Sequence, residues 1–138
     1  MSKLRPELSQ NNPHWISRHR YYELKHFCLQ YYAWKSQYAD ISISLRSVET
    51  DTSAVVKSEV SNPTEDLALT RLYYKERMEL IERTAEETHP IIGRYIFVGV
   101  TEGVSYEIIN ARETIPCSKD EYYDLYRRFF WLLDRARK

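Results

Sequence analysis

Between Trp15 and Asp40 the hydrophobic positions follow a helical rhythm. Leu24, Phe27, Tyr31, Trp34 and Tyr38 recur at spacings of 3, 4, 3 and 4, which places five large side chains on one stripe. Ser17 is a suitable N-cap, and such a stripe asks for another helix to pack against. Residues 41–61 break the rhythm with six serines. Ile41-Ser42-Ile43-Ser44-Leu45 alternates at period two, so this segment is expected to be a polar linker or a short hairpin. The linker is preferred because no Asn-Gly turn is present to close a hairpin. Asn62-Pro63-Thr64-Glu65 then reads as a helix start, with Asn62 as cap, Pro63 at the first helical position and Glu65 at the third. The helix is expected to run to about Thr88, carrying Leu67, Tyr74, Met78, Ile81 and Ala85 inward. Pro90 ends it. Residues 91–101 are the most apolar stretch and predict a short buried helix, although their β-branched residues also suit a strand.

The final third reads helix, turn, helix. Ser105 caps a short helix from Tyr106 to about Arg112, and Pro116 interrupts the chain. Ser118 then caps the last helix, with Glu121 completing a capping box. Along that helix Tyr122, Leu125, Phe129, Leu132 and Ala136 form one apolar stripe. The expected fold class is all-α: a small helical bundle with a C-terminal helix-turn-helix, an N-terminal amphipathic helix and a polar linker. Its expected divisions are a mobile polar arm at 1–14, the N-terminal helix at 15–40, the linker or hairpin at 41–61, and a helical domain at 62–138. The helix-turn-helix lies at about 105–136.

Composition narrows the function classes. The chain has 138 residues but only three glycines, Gly93, Gly99 and Gly103, too few for glycine-rich phosphate loops or repeated tight hairpins. Charged residues make up 29%, and no apolar run of about 18 residues exists to span a membrane. The two cysteines, Cys28 and Cys117, have no motif spacing, which fits a reducing cytoplasm. The formal net charge is zero, but it is unevenly spread: +4 over residues 1–35, −5 over 36–90, −1 over 91–114 and +2 over 115–138. Nucleic-acid contact must therefore be confined to a patch or be assisted by a partner. The 12 tyrosines, 4 phenylalanines and 3 tryptophans are read chiefly as core, with a partner surface as the alternative.

The candidate chemistry is that of binding. In a helix-turn-helix the second helix lays its first turns in the major groove. Ser118 and the free N–H groups behind it suit a phosphate, Lys119 and Tyr123 project from the first turns, and Arg127 and Arg128 follow one or two turns on. Asp120, Glu121 and Asp124 weigh the other way, because they repel phosphate. Arg18, Arg20 and Lys25 lie in a stretch that interleaves basic and aromatic residues and suits a phosphate backbone. No metal site is expected, since no histidine or cysteine pair has ligand spacing. No hydrolase, zincin or Walker motif is present, so no enzyme activity and no cofactor are expected. Cys117 sits just before a helix N-terminus, a position that can depress a thiol pKa; a role in the capping turn is the preferred reading.

At Asn62-Pro63-Thr64-Glu65, and over Ile115-Pro116-Cys117-Ser118-Lys119-Asp120-Glu121-Tyr122-Tyr123-Asp124-Leu125-Tyr126-Arg127-Arg128, the sequence resembles small Firmicute phage and prophage proteins. More distantly it is similar to the RinA/ArpU group of late-gene transcriptional regulators. The likeness is one of layout and covers roughly residues 62–138. It implies a module like region 4 of sigma factors, promoter binding by the helix that starts at Ser118, and RNA polymerase as a partner. Ser118 would match the capping serine, Tyr123 the aromatic and Arg127-Arg128 the basic pair.

The function expected is therefore that of a phage-type transcriptional regulator binding double-stranded DNA, with the aromatic stripe of the first helix mediating packing or self-association. The alternative is an interaction factor that inhibits or redirects a host protein such as a polymerase or a defence (CRISPR-type) nuclease. For that role Glu76, Glu79, Glu82, Glu86 and Glu87 would form the acidic partner face; a solvated helix surface is the simpler account of them.

Overall fold

Serines at 17, 105 and 118 open helices in the computed structural model, which describes residues 12–50 and 63–138, with side chains to residue 47 in the first stretch. Every regular element among the described residues is an α-helix. They are α1 (Arg18–Cys28), α2 (Tyr31–Thr50), α3 (Pro63–Thr88), α4 (Gly93–Glu102), α5 (Tyr106–Arg112) and α6 (Lys119–Ala136). None is long and apolar enough to cross a membrane. The Ser17 hydroxyl accepts from the N–H of Arg20 at 3.2 Å and so satisfies one of the orphan donors of α1. Gly103 ends α4 with φ 71°, the left-handed conformation that glycine adopts at least cost.

Two stretches differ from the sequence expectation. The helix expected over 15–40 is two helices: α1 closes in a tight turn at Leu29-Gln30, where Gln30 N–H donates to the Phe27 carbonyl at 3.2 Å. The linker or hairpin expected from residue 41 is helical through Thr50. Ile41 and Leu45 are buried because they extend the spacing of Tyr31, Trp34 and Tyr38 by 3 and 4. The period-two alternation leaves Ile43 on the outer side, 57% exposed. The rest of that linker, residues 51–61, lies outside the described residues, as do Asn62 and residues 1–11 of the arm. Residues 12–14 form a turn: the Asn12 side chain accepts from the N–H of His14 at 2.8 Å, and the His14 ring lies 5.3 Å from that of Trp131.

The chain forms two compact units, one comprising residues 12–30 with Leu80–Lys138 and the other Tyr31–Glu79. In the first, Leu24, Ile81, Ile96, Phe129, Phe130 and Leu133 are fully enclosed, each contributing about 1.5–3 kcal/mol by leaving water. α1 packs on α6. The Tyr21 ring meets Phe130 edge-on at 5.1 Å, and its hydroxyl pairs with that of Tyr126 at 3.0 Å. Arg20 adds an ion pair to Asp134 at 2.7 Å. α4 is apolar because it is surrounded: it lies against the end of α3 at Gly93, where a Cβ would stand 2.2 Å from the Ala85 carbonyl oxygen. It then meets both α5 and α6 at Gly99, where a Cβ would stand 2.3 Å from the Tyr122 hydroxyl and 3.4 Å from Ile109 Cδ1.

In the second unit α2 buries Tyr31, Trp34, Ile41 and Leu45, and the lower part of α3 buries Met78. Arg71 links the two helices: its guanidinium lies 5.1 Å from the Tyr38 ring centroid and donates to that hydroxyl at 3.2 Å. The guanidinium thus lies on an aromatic face while one of its N–H groups is hydrogen-bonded.

Candidate nucleic-acid interface

The segment from α5 through the turn to α6 is held by side chains reaching back to backbone. Ser105 caps α5. In the turn, Asn110 Oδ1 accepts from the N–H of Ile115 at 2.8 Å, which sinks Ile115 into the core. Tyr106 donates its hydroxyl to the Cys117 carbonyl at 2.8 Å. Ser118 closes a full capping box: its hydroxyl accepts from the Glu121 N–H at 3.2 Å, and its own N–H donates to the Glu121 carboxylate at 3.1 Å. Those bonds hold the Glu121 carboxyl below its ordinary pKa.

The residues expected to meet DNA sit along this segment with partners of their own. Ser118 is exposed, but Glu121 already occupies its hydroxyl and N–H. Lys119 forms an ion pair with Glu107 of α5. The Glu107 hydrogen bond raises the lysine pKa, and Lys119 in turn lowers that of Glu107. Tyr123 accepts from the N–H of Tyr106 at 3.2 Å. Arg127 donates to Asp124 at 2.9 Å, with its own side chain only 14% exposed. Arg128 donates to the carbonyl of Thr88 at 3.3 Å, so it serves a terminal acceptor of α3.

Lys119 and Tyr123 are thus tied to α5, Ser118 and Arg127 are paired within α6, and Arg128 is committed to the end of α3. Arg20 lies at the opposite end of α6, held by Asp134, Glu23 and the Arg137 carbonyl. Arg18 is exposed at the start of α1, and the Lys25 ammonium lies 5.8 Å from the Tyr22 ring centroid. Glu76, Glu79, Glu82, Glu86 and Glu87 are all exposed.

Sequence reasoning missed three of the partners: Glu107 for Lys119, the Tyr106 N–H for Tyr123 and the Thr88 carbonyl for Arg128. A signal existed for two of them, since Tyr106 and Glu107 directly follow the cap of α5 and begin the helix facing α6. The carbonyl of Thr88 carried none. Cys117 stands in the capping turn, where its carbonyl accepts from Tyr106, and its thiol pKa is raised, first by burial and then by the Glu121 carboxylate. Burial pushes the Cys28 thiol up as well. Among the described residues no three His, Cys, Asp or Glu side chains gather as a metal site. Comparison with known protein families, with curated proteins and with solved structures finds no match.

Proposed function

We propose that this protein is a phage-type transcriptional regulator that binds duplex DNA through α5, the following turn and α6, with RNA polymerase as a partner at the promoter. One observation carries the reading: α4, α5 and α6 converge on Gly99, and a rigid turn presents the exposed, capped first turn of α6. This arrangement supports the reading, because a brace helix that aims a second helix into the major groove needs such a turn and an accessible first turn. The Lys119–Glu107 pair does not oppose the reading. Both partners are about half exposed, and solvent screens such a surface pair, so a phosphate can take the lysine. Fluorescence anisotropy with phage-promoter and random duplexes, from low to physiological salt, tests it. A steep salt dependence with preference for one duplex is expected. No binding at low salt would end the proposal.

A second reading is favoured by the charge of the outer surface. Asp120, Glu121 and Asp124 on α6 are exposed, as are the five glutamates of α3, and such carboxylates suit a basic groove on a host protein. Competition between this protein and DNA for that partner separates the two readings.

A further inference from the structure

The turn from α3 to α4 is held by one residue. Pro90 has no N–H to place, and each of the next three backbone donors ends on His89. Ile91 and Ile92 donate to the ring Nδ1 at 3.1 and 3.0 Å, and Gly93 donates to the carbonyl at 3.0 Å. Ile92, at the cap position of α4, has no side-chain acceptor of its own. The imidazole therefore does for α4 what Ser17, Ser105 and Ser118 do for their helices. The chemistry differs in one respect: a ring nitrogen accepts only while it carries no proton.

The difference matters because α4 is packed at both ends, with Gly93 set against Ala85 and Gly99 against Tyr122. Ile92 is buried, so its N–H, once released, has little water to turn to. His89 itself is half-buried, within reach of solvent protons. The charged groups of the elements that meet at this turn are Glu86 and Glu87 of α3, Arg94 of α4, Arg128 of α6 and His14 of the N-terminal turn. Glu86, Glu87 and Arg94 are exposed, and Arg94 is bound by Glu113 at the end of α5 at 2.8 Å. Arg128 donates to the Thr88 carbonyl and acts on His14 through its charge. A protonated ring has a second place to go, since the last carbonyls of a helix favour a cation and Arg128 already serves one of those of α3.

We propose that His89 is a proton-operated latch on the α3–α4 turn. The neutral ring, facing the start of α4, holds the turn. A proton taken up from solvent at Nδ1 breaks both ring hydrogen bonds, moves the ring toward the end of α3 and frees the first turn of α4. Acid opens the latch, because the closed form requires the bare nitrogen.

NMR of the full chain from about pH 8 to about pH 5, the span in which imidazoles ordinarily change charge, tests this without DNA. At the upper end the His89 proton should sit on Nε2, with Nδ1 showing the shift of a bare, hydrogen-bonded nitrogen. As the His89 ring gains its second proton, the exchange protection of the Ile91 and Ile92 amides, scaled to free-peptide rates at each pH, should fall at least tenfold. That of Phe129 in α6 should stay. His89→Asn keeps an acceptor that does not titrate and should protect both amides across the range. His14→Gln should leave the response in place, which separates the two histidines. A His89 ring with its proton on Nδ1 at the upper end overturns the proposal. So do Ile91 and Ile92 amides indifferent to the titration of His89, or a His89→Asn protein that keeps the wild-type pH response.

Discussion

Tyr122→Phe is expected to stabilise this protein, the opposite of what removing a tyrosine hydroxyl ordinarily does. Tyr122 is 1% exposed, and its hydroxyl has no hydrogen-bond partner, lying instead against Gly99. A buried polar group left unpaired costs about 1–3 kcal/mol. Phenylalanine removes that cost and leaves a void of one oxygen atom, worth a few tenths of a kcal/mol at about 24 cal/mol per Å³. The net gain is about 1 kcal/mol or more, which is about 3–5 °C in Tm for a chain of this length. Tyr106→Phe supplies the internal contrast. Its hydroxyl is bonded to the Cys117 carbonyl, so that change should cost about 1 kcal/mol. Gly99→Ala probes the same contact from α4. In the wild type its Cβ meets the Tyr122 oxygen at 2.3 Å, an overpacking cost of about 1–3 kcal/mol against a helix-propensity gain of about 1 kcal/mol. In the Tyr122→Phe background the obstructing oxygen is gone and the propensity gain should emerge. Urea unfolding followed by far-ultraviolet circular dichroism measures each of these variants against the wild type. Two results would refute the reasoning: a loss for Tyr122→Phe equal to that for Tyr106→Phe, or the same Gly99→Ala effect in both backgrounds.

Gly93→Ala should be more severe. Its Cβ would meet the carbonyl of Ala85 at 2.2 Å, and backbone on both sides cannot step aside. A loss of more than about 2 kcal/mol in the same unfolding assay is expected. His14 should titrate below 6.5, because burial and then Arg128 oppose its charge while Asp124 favours it. Its folded form prefers the neutral ring, so the associated stability is present above pH 6.5 and is lost as pH falls through the folded midpoint. Asp124→Asn should lower that midpoint further, read from the ring proton shifts by NMR. Lys119→Gln should leave the melting midpoint unchanged, since its partner is exposed. It should also reduce the salt slope of DNA binding by about 1 if the lysine contacts phosphate.

Most of the fold was legible where a residue has a single local job. The serines at 17, 105 and 118 and the glutamate at 121 declare helix starts because no other backbone geometry uses them so well. The helix α4 followed from the apolar run at 91–101, whose β-branched residues also suited a strand. The break at Leu29-Gln30 was not readable, since it uses neither glycine nor proline and rests on one tightened turn. The helix over 41–50 was legible in principle. Ile41 and Leu45 satisfy a period of two and a period of 3.6 alike, and Trp34 and Tyr38 decide between them only if the stripe is carried forward. At the candidate interface the positions of Ser118, Lys119 and Tyr123 followed from the capping box. The commitment of Arg128 did not, because its partner is a tertiary neighbour, the Thr88 carbonyl; that of Arg127 is a local i, i+3 pair with Asp124 within α6.

The placement of the three tryptophans gives the molecule its own optical labels. Trp34 is buried in the second unit, while Trp15 and Trp131 belong to the first, and Trp131 stands between the His14 ring and the Arg135 guanidinium at 4.7 Å. Emission from Trp34 therefore reports one unit and emission from the other two reports its neighbour. A Trp34→Phe protein and a Trp15→Phe/Trp131→Phe protein, unfolded side by side, would show by coincident or separate transitions whether the continuous helix α3 makes the two units melt as one. Protonation of His14 should also dim Trp131 selectively, so the same emission band carries a record of pH at the start of α1.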